Sequence, residues 1–169
     1  MMQASAHLYL LALGSNRPLS AARTPARLIA EAAALIGARA RIVAQAPVFD
    51  TAPVGPSSRR FANSALLVES PLPPPAMLAL CQAIETGLGR RRYRRWGARS
   101  MDIDIILWSG GRWRGAGLTV PHPAFRTRPF VLAPAHAIHP HGRDPETGLR
   151  ITHLRARAAK ARAKVTTRG

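Results

Sequence analysis

Cysteine, acidic residues and aromatic residues are all scarce in this sequence. The single cysteine, Cys81, cannot form a disulfide within the chain or a thiolate-rich zinc site, which favours the reducing cytoplasm. The eight acidic residues exclude an acidic-tail protein and a calcium buffer. The apolar run at residues 8–13 is too short for a membrane span and lacks the basic flank of a signal peptide, so we expect no membrane contact.

Basic residues are abundant by contrast. Lys and Arg total 25 against 8 Asp and Glu, and the net charge of +17 favours anionic partners such as nucleotides, phosphates, nucleic acid or acidic membrane surfaces. With 169 residues and 47% hydrophobic content, the chain can bury one core. We therefore expect a single domain over residues 1–150. A basic, flexible tail over residues 151–169 would bind nucleic acid at most nonspecifically.

Turn residues and hydrophobic periodicity predict six successive elements in the first two thirds of the chain. They are strand 8–13, helix 24–36, strands 39–49 and 61–69, helix 75–87 and strand 101–108. This order is the split βαβ arrangement of an α+β ferredoxin-like fold, in which helices cover one face of an antiparallel βαββαβ sheet. A glycine-rich hairpin at 109–117 and a helix near 124–132 form a C-terminal extension.

Two acidic residues share one side of the predicted strand 101–108. Alternation points Met101, Ile103, Ile105 and Leu107 toward the core and Asp102 and Asp104 away from it. The backbone positions of the two acids lie about 6.6 Å apart at a rise of about 3.3 Å per residue. At an effective dielectric constant of about 20, their charges would repel by about 2.5 kcal/mol. Either Mg²⁺ or an arginine such as Arg99 could relieve this repulsion.

An arginine-rich segment precedes these acids. Six of the ten residues 90–99 are arginines, and the segment has no hydrophobic period, so it predicts a loop. The loop could face a polyphosphate bound with magnesium, or it could bind nucleic acid with Tyr93 and Trp96 as stacking residues. The glycine-rich phosphate-binding motif of P-loop kinases is absent from the sequence, which excludes that class.

Other candidate residues leave both a functional and a structural interpretation open. Gln82 and Glu85 share one helix face, which is either solvent-exposed or part of a site. His122 lies between two prolines, where it either faces a phosphate or is simply exposed. We interpret the histidines 136, 139 and 141 as structural, since no acid or thiol accompanies them. A further group suits a flat heterocycle but equally a core: Phe49, Thr51, Phe61, Asn63, Trp96 and Phe130.

Several motifs together resemble one enzyme family. The most specific is RWGARSMDIDIIL at residues 95–107, and LTVPHP at 118–123 and RTRPFVLAP at 126–134 follow it. LGSN at 13–16, FDTAPVG at 49–55, FAN at 61–63, and Gln82 with Glu85 precede it. In these motifs the chain resembles the 6-hydroxymethyl-7,8-dihydropterin pyrophosphokinases of folate biosynthesis, in the family's order between residues 8 and 140.

The resemblance implies a reaction and a set of site residues. A monomer would transfer the pyrophosphoryl group of ATP to the hydroxymethyl oxygen of a reduced pterin and release AMP, with two Mg²⁺ ions held by Asp102 and Asp104. The implied catalytic residues are Arg90, Arg99, Asp102 and Asp104. The implied pterin contacts are Thr51, Ala52, Val54, Phe61, Asn63 and Phe130. The implied ATP contacts are Gln82, Glu85, Arg90, Arg92, Trp96, Arg99, Ile105, Thr119, His122 and Arg128.

Overall fold

A computed structural model describes residues 6–51, 60–89, 100–115 and 117–166. The strands in these ranges are β1 (His7–Ser15), β2 (Arg41–Gln45), β3 (Phe49–Thr51), β4 (Phe61–Ser70), β5 (Asp102–Trp108), β6 (Trp113–Gly115) and β7 (Leu118–Val120). The helices are α1 (Pro25–Gly37), α2 (Pro74–Gly87), α3 (Pro129–Ile138) and α4 (Ile151–Thr166), with a short 3₁₀ helix at Phe125–Thr127. None of these helices is both long enough and apolar enough to cross a bilayer.

The main sheet has the strand order β2-β4-β1-β5, and its pairs are antiparallel. This order, with α1 and α2 as the two connections, confirms the predicted ferredoxin-like βαββαβ core. The predicted strand 39–49 is divided into β2 and β3, which both pair with β4. Pro47, which has no amide hydrogen, lies between them, and this explains the break. β6 and β7 form a separate hairpin.

Helices α1 and α2 pack on the first face of the sheet. Thr24 caps α1 by accepting a hydrogen bond from the Arg27 amide, and Pro25 occupies the first turn. The apolar side chains that form this part of the core are fully buried. They include Tyr9, Leu11, Leu28, Ile36, Leu66, Met77 and Ile103.

The second face of the sheet is also covered, which differs from the prediction that helices cover one face. α3, α4 and the 3₁₀ helix pack there in a second core cluster. Leu10 and Ile106 of the sheet meet Phe125, Leu132 and Ile151 in this cluster. The protein therefore has three layers, with the sheet in the middle.

The end of the chain also differs from the predicted flexible tail, because residues 151–166 form α4. Ile151 is fully buried and Leu154 is 3% exposed, so the first turns of the helix are packed. Alanine is the best helix former, and α4 contains five alanines. The many arginines between the apolar positions had hidden the periodicity of this segment.

Two further local predictions are corrected. Leu107 belongs to the second cluster, because a register shift in the pairing with β1 sets Leu10 opposite Leu107 but Leu11 opposite Ile105.

The helix expected near 124–132 is a 3₁₀ turn followed by α3. Arg128 separates them in an extended conformation, which the following Pro129 favours.

Candidate active site

The two acids of β5 lie on the second face of the sheet, as alternation predicts. Asp102 pairs with Gly14 of β1 and Asp104 with Ala12, so each carboxylate has a small residue beside it. Both acids are partly exposed. The small neighbours leave room above this end of the sheet for a ligand.

Asp104 is approached by two cationic or ionisable groups. The Nε2 atom of His122 lies 3.7 Å from its Oδ2 atom, and the Nη1 atom of Arg128 lies 3.9 Å from the same oxygen. The Nδ1 atom of His122 accepts a hydrogen bond of 3.2 Å from the Ala124 amide. A neutral His122 ring therefore carries its proton on Nε2, on the side of Asp104. The Nδ1 contact and the Ile106 carbonyl, which accepts a hydrogen bond from the His122 amide, fix this ring in place.

The donor set of this site suits a hard divalent cation. Asp102 and Asp104 offer oxygen ligands only, and in the described ranges no group of three or more His, Cys, Asp or Glu side chains could hold a metal ion alone. Magnesium is commonly held by one or two carboxylates, with water and substrate phosphates as its other ligands. The two aspartates therefore fit magnesium that is shared with a phosphate ligand.

Glu85 of α2 is buried, which excludes the exposed-face interpretation for this residue. It is 3% exposed, and its Oε1 atom accepts a hydrogen bond of 2.7 Å from the Ile103 amide. Glu85 thus binds the backbone of β5 between the two aspartates. Gln82, one turn earlier, is half-buried. Burial, together with the charges of Glu85 and Asp104, raises the pKa of Cys81 to about 12, so this thiol is not a nucleophile at neutral pH.

Strands β3 and β4 bring polar and aromatic side chains to the same face. Thr51 pairs with Phe61, and Phe49 pairs with Asn63. Asn63 is 5% exposed, and its Nδ2 atom donates a hydrogen bond of 2.7 Å to the Thr51 hydroxyl. This pair presents amide and hydroxyl groups near the partly buried ring of Phe61.

One row of residues crosses the sheet and joins the two groups. Asn63 of β4 pairs with Gly14 of β1, and Gly14 pairs with Asp102 of β5. At about 4.8 Å between neighbouring strands, Asn63 and Asp102 lie about 10 Å apart. The candidate heterocycle residues and the candidate metal ligands therefore belong to one continuous surface.

Helix α3 begins above this surface. Phe130, in its first turn, is partly buried and packs against the second core cluster, as Phe49 does. The Arg128 guanidinium lies 5.8 Å from the centre of the Phe130 ring. One short segment therefore places an arginine near Asp104 and an aromatic ring on the same side of the sheet.

The remaining predicted residues do not gather at one point. Ile105 is 3% exposed and its side chain belongs to the core, so only its backbone could contact a ligand. Thr119 of β7 lines a polar cavity of about 360 Å³ with Arg114, Arg126 and Glu146. Six predicted residues lie outside the described ranges and stay predictions: Ala52, Val54, Arg90, Arg92, Trp96 and Arg99.

Sequence reasoning missed two features that support the site. Ser15 is 1% exposed and donates a hydrogen bond of 2.5 Å to the Ser100 carbonyl, which ties the end of β1 to the start of β5. Asp144 has no exposed surface and accepts two hydrogen bonds of 2.7 Å from Arg126, two residues before Arg128. An isolated acid in a basic segment was the signal that could have indicated the second feature.

Comparisons with known proteins agree with the motifs. The family model for 7,8-dihydro-6-hydroxymethylpterin-pyrophosphokinase (HPPK) matches residues 10–140. A 2-amino-4-hydroxy-6-hydroxymethyldihydropteridine pyrophosphokinase of Synechocystis is 38% identical over 100 residues, which cover 59% of this chain and 51% of the relative. The enzyme of the same name from Methylorubrum extorquens is 39% identical over 101 residues, 59% of this chain and 64% of the relative. The matched segments thus span between half and two thirds of these relatives.

Solved structures agree on the fold. The crystal structure of Plasmodium falciparum HPPK-DHPS with pteroate superposes with a TM-score of 0.71 at 12% identity, covering 90% of this chain and 44% of that one. At this identity the similarity supports the ferredoxin-like architecture alone.

Proposed function

The chain belongs to the 7,8-dihydro-6-hydroxymethylpterin-pyrophosphokinase family, and from this membership we propose that it transfers the pyrophosphoryl group of ATP to the hydroxymethyl oxygen of 6-hydroxymethyl-7,8-dihydropterin and releases AMP. The observation that carries the proposal is the row Asn63, Gly14 and Asp102 across the sheet. The row supports a heterocycle site at Asn63 and a phosphate site at Asp102. The two sites are close enough for a pyrophosphoryl group to pass between ligands bound there.

The pterin is proposed to bind over β3 and β4. Asn63 and Thr51 supply hydrogen-bonding groups for the polar edge of the ring, and their mutual hydrogen bond holds both side chains in position. Phe61 and Phe130 supply flat apolar surfaces for its two faces. Ala52 and Val54 complete this proposed set.

The phosphates of ATP are proposed to bind beside β5. Arg128 offers a guanidinium suited to phosphate oxygens, and His122 holds a proton on Nε2 that it can donate to one of them. Asp102 and Asp104 would hold the two Mg²⁺ ions that accompany the nucleotide. When bound, these ions would neutralise the negative charge on the phosphates.

The other proposed ATP residues act from the first face and from the arginine segment. Glu85 fixes the Ile103 amide and hence the edge of β5, while Gln82, Ile105 and Thr119 are proposed to contact the nucleotide itself. Arg90, Arg92, Trp96 and Arg99 are also proposed to contact ATP. Pyrophosphoryl transfer depends chiefly on positioning and charge neutralisation, which this set of residues supplies.

The direct test is the release of AMP from ATP by the purified chain with magnesium present. We expect AMP to form only when 6-hydroxymethyl-7,8-dihydropterin is added, together with the diphosphorylated pterin in equal amount. AMP formation at the same rate without the pterin, or ADP as the product, would contradict the proposal. Size-exclusion chromatography of the same sample tests the expected monomer.

A further inference from the structure

Helix α4 extends beyond the core that holds its first turns. Ile151 and Leu154 are buried and Ala158 is partly buried, whereas residues 159–165 are exposed. At 1.5 Å per residue, these seven residues form about 10 Å of helix that presents its surface to solvent. Val165 is 75% exposed. The exposed side chains of Arg157, Lys160 and Lys164 are therefore accessible to a partner.

The charge of α4 has one sign. Residues 147–169 contain no Asp or Glu, and α4 carries five Arg or Lys side chains. Arg157, Lys160 and Lys164 follow one another at i, i+3 and i+7, so they form a row on one face. Relative to the packed positions Ile151 and Leu154, helical geometry turns this row away from the core. A partner that binds this row must be negatively charged over at least about 10 Å, the length from Arg157 to Lys164.

The composition of α4 favours one class of negatively charged partner over the others. A helix that lies in an acidic membrane surface buries a broad apolar face, but the exposed apolar residues here are alanines and Val165. Single-stranded nucleic acid is held by aromatic stacking, and α4 contains no Phe, Tyr or Trp. The deep, narrow major groove of duplex RNA does not admit a helix, whereas the major groove of B-form DNA does.

We propose that α4 is a docking surface for double-stranded DNA: the helix lies at the major groove, and Arg157, Lys160 and Lys164 contact the phosphates along its edge. The contact is independent of base sequence, because hydrogen bonds and ion pairs to phosphates carry no sequence information. It is also independent of the proposed enzyme reaction, since none of the proposed site residues lies on α4.

The test measures binding of the full-length protein to a 25-base-pair fluorescent duplex by anisotropy between 50 and 200 mM NaCl. Three phosphate contacts, one for each of these side chains, would give a slope of log K against log salt of about −2.7, since each contributes about −0.9. The double variant Arg157→Gln, Lys164→Gln should reduce the magnitude of this slope by about 2 and weaken binding at least tenfold at 100 mM NaCl. The matched control, Arg39→Gln with Arg112→Gln, removes the same charge from exposed sites outside α4 and should bind as the parent protein does.

Circular dichroism and pterin-dependent AMP release should be unchanged in both double variants, which separates this proposal from the enzyme assignment. Three results would overturn it. Equal weakening by the two double variants would assign binding to net charge rather than to α4. Tighter binding to single-stranded DNA or to duplex RNA of the same length would exclude the B-form groove. Tighter binding to vesicles of phosphatidylglycerol and phosphatidylcholine would assign the helix to a membrane surface.

Discussion

Asp102 is the single residue on which the proposed phosphate site depends most directly. Replacing it by Asn keeps the shape but removes the charge that would hold a divalent cation, so we expect pterin-dependent AMP release to fall at least about 100-fold. The matched control is Asp50→Asn, because Asp50 is exposed and pairs with Ala62, whose side chain packs on the first face. Steady-state kinetics at saturating magnesium measures both variants. Equal loss in both, or none in Asp102→Asn, would contradict the assignment.

Asn63 tests the proposed pterin site separately. In Asn63→Ala the hydrogen bond to Thr51 and the amide that would meet the heterocycle are both lost. One such hydrogen bond is worth about 1 to 1.5 kcal/mol, so the KM for the pterin should rise about tenfold while the KM for ATP stays within twofold. Initial rates with each substrate varied in turn measure this. A KM increase confined to ATP would place the pterin elsewhere.

At the residue scale, local rules predicted side-chain direction but not burial. The alternation in β5 put Asp102 and Asp104 on one face, and the structure agrees. The same kind of rule left Glu85 as either exposed or functional. Its burial depends on the Ile103 amide, 18 residues away, which no helical period can reveal.

The ion pair of Arg126 with Asp144 is the clearest stabilising interaction at the scale of elements. It links the 3₁₀ helix to the loop after α3. Burial by itself would raise the pKa of Asp144, but hydrogen bonds from Arg126, Thr147 and the Glu146 amide outweigh it and lower the pKa below its ordinary value. A lowered folded-state pKa stabilises the fold above the unfolded-state pKa of about 3.9, and this contribution is lost as the pH falls through the folded-state value.

Asp144→Asn should therefore unfold more easily at neutral pH, by about 2 kcal/mol, because Arg126 loses its two hydrogen bonds to the Asp144 carboxylate and keeps only its ion pair with Glu146. The difference from the parent protein should shrink as the pH falls below about 4. Urea unfolding between pH 3 and 7 measures it. A constant difference over this range would show that the Asp144 charge contributes nothing. Glu69→Gln, at an exposed ion pair with Arg41, is the control and should cost little.

Helix α4 should contribute to stability only through its first turns. Leu154→Ala removes a side chain that is 3% exposed in the second core cluster, and we expect a loss of about 2 to 4 kcal/mol in the free energy of unfolding. Lys160→Ala, on the exposed part of the same helix, should change it by less than about 0.5 kcal/mol. Urea denaturation compares the two. Equal effects would mean that the packing of α4 is uniform along its length.

Element boundaries were predicted well where a strong local signal exists and poorly elsewhere. Thr24 and Pro25 fix the start of α1, and the predicted helix 24–36 begins at this point. The residue before α4 is Arg150, which is not one of the preferred capping residues. The helical state of α4 depends on the burial of Ile151 against Phe125 and Leu132, which is a tertiary property.

At the scale of the whole molecule, the order of elements predicted the main sheet but not the third layer. The split βαβ order constrains which strands can be neighbours, so β2-β4-β1-β5 follows from topology. The cover over the second face comes from α3 and α4, which follow the core in the sequence. The packing of these helices depends on apolar residues on the second face of the sheet. Alternation along the strands does not show that anything covers this face.

The net charge of +17 predicts how the whole molecule responds to salt. Like charges repel in the compact state, and the Debye length shortens to about 10 Å at 0.1 M salt, so NaCl should raise the Tm. Relief of about 1 kcal/mol would raise it by about 2–4 °C between 20 and 300 mM NaCl. Arg39→Glu with Arg112→Glu lowers the net charge by four, from +17 to +13, and should reduce the rise. Because only eight acids face 25 basic residues, we expect the relief of repulsion to outweigh the screening of ion pairs. A Tm that falls with NaCl would show instead that ion pairs such as Arg126 with Asp144 dominate the electrostatic stability.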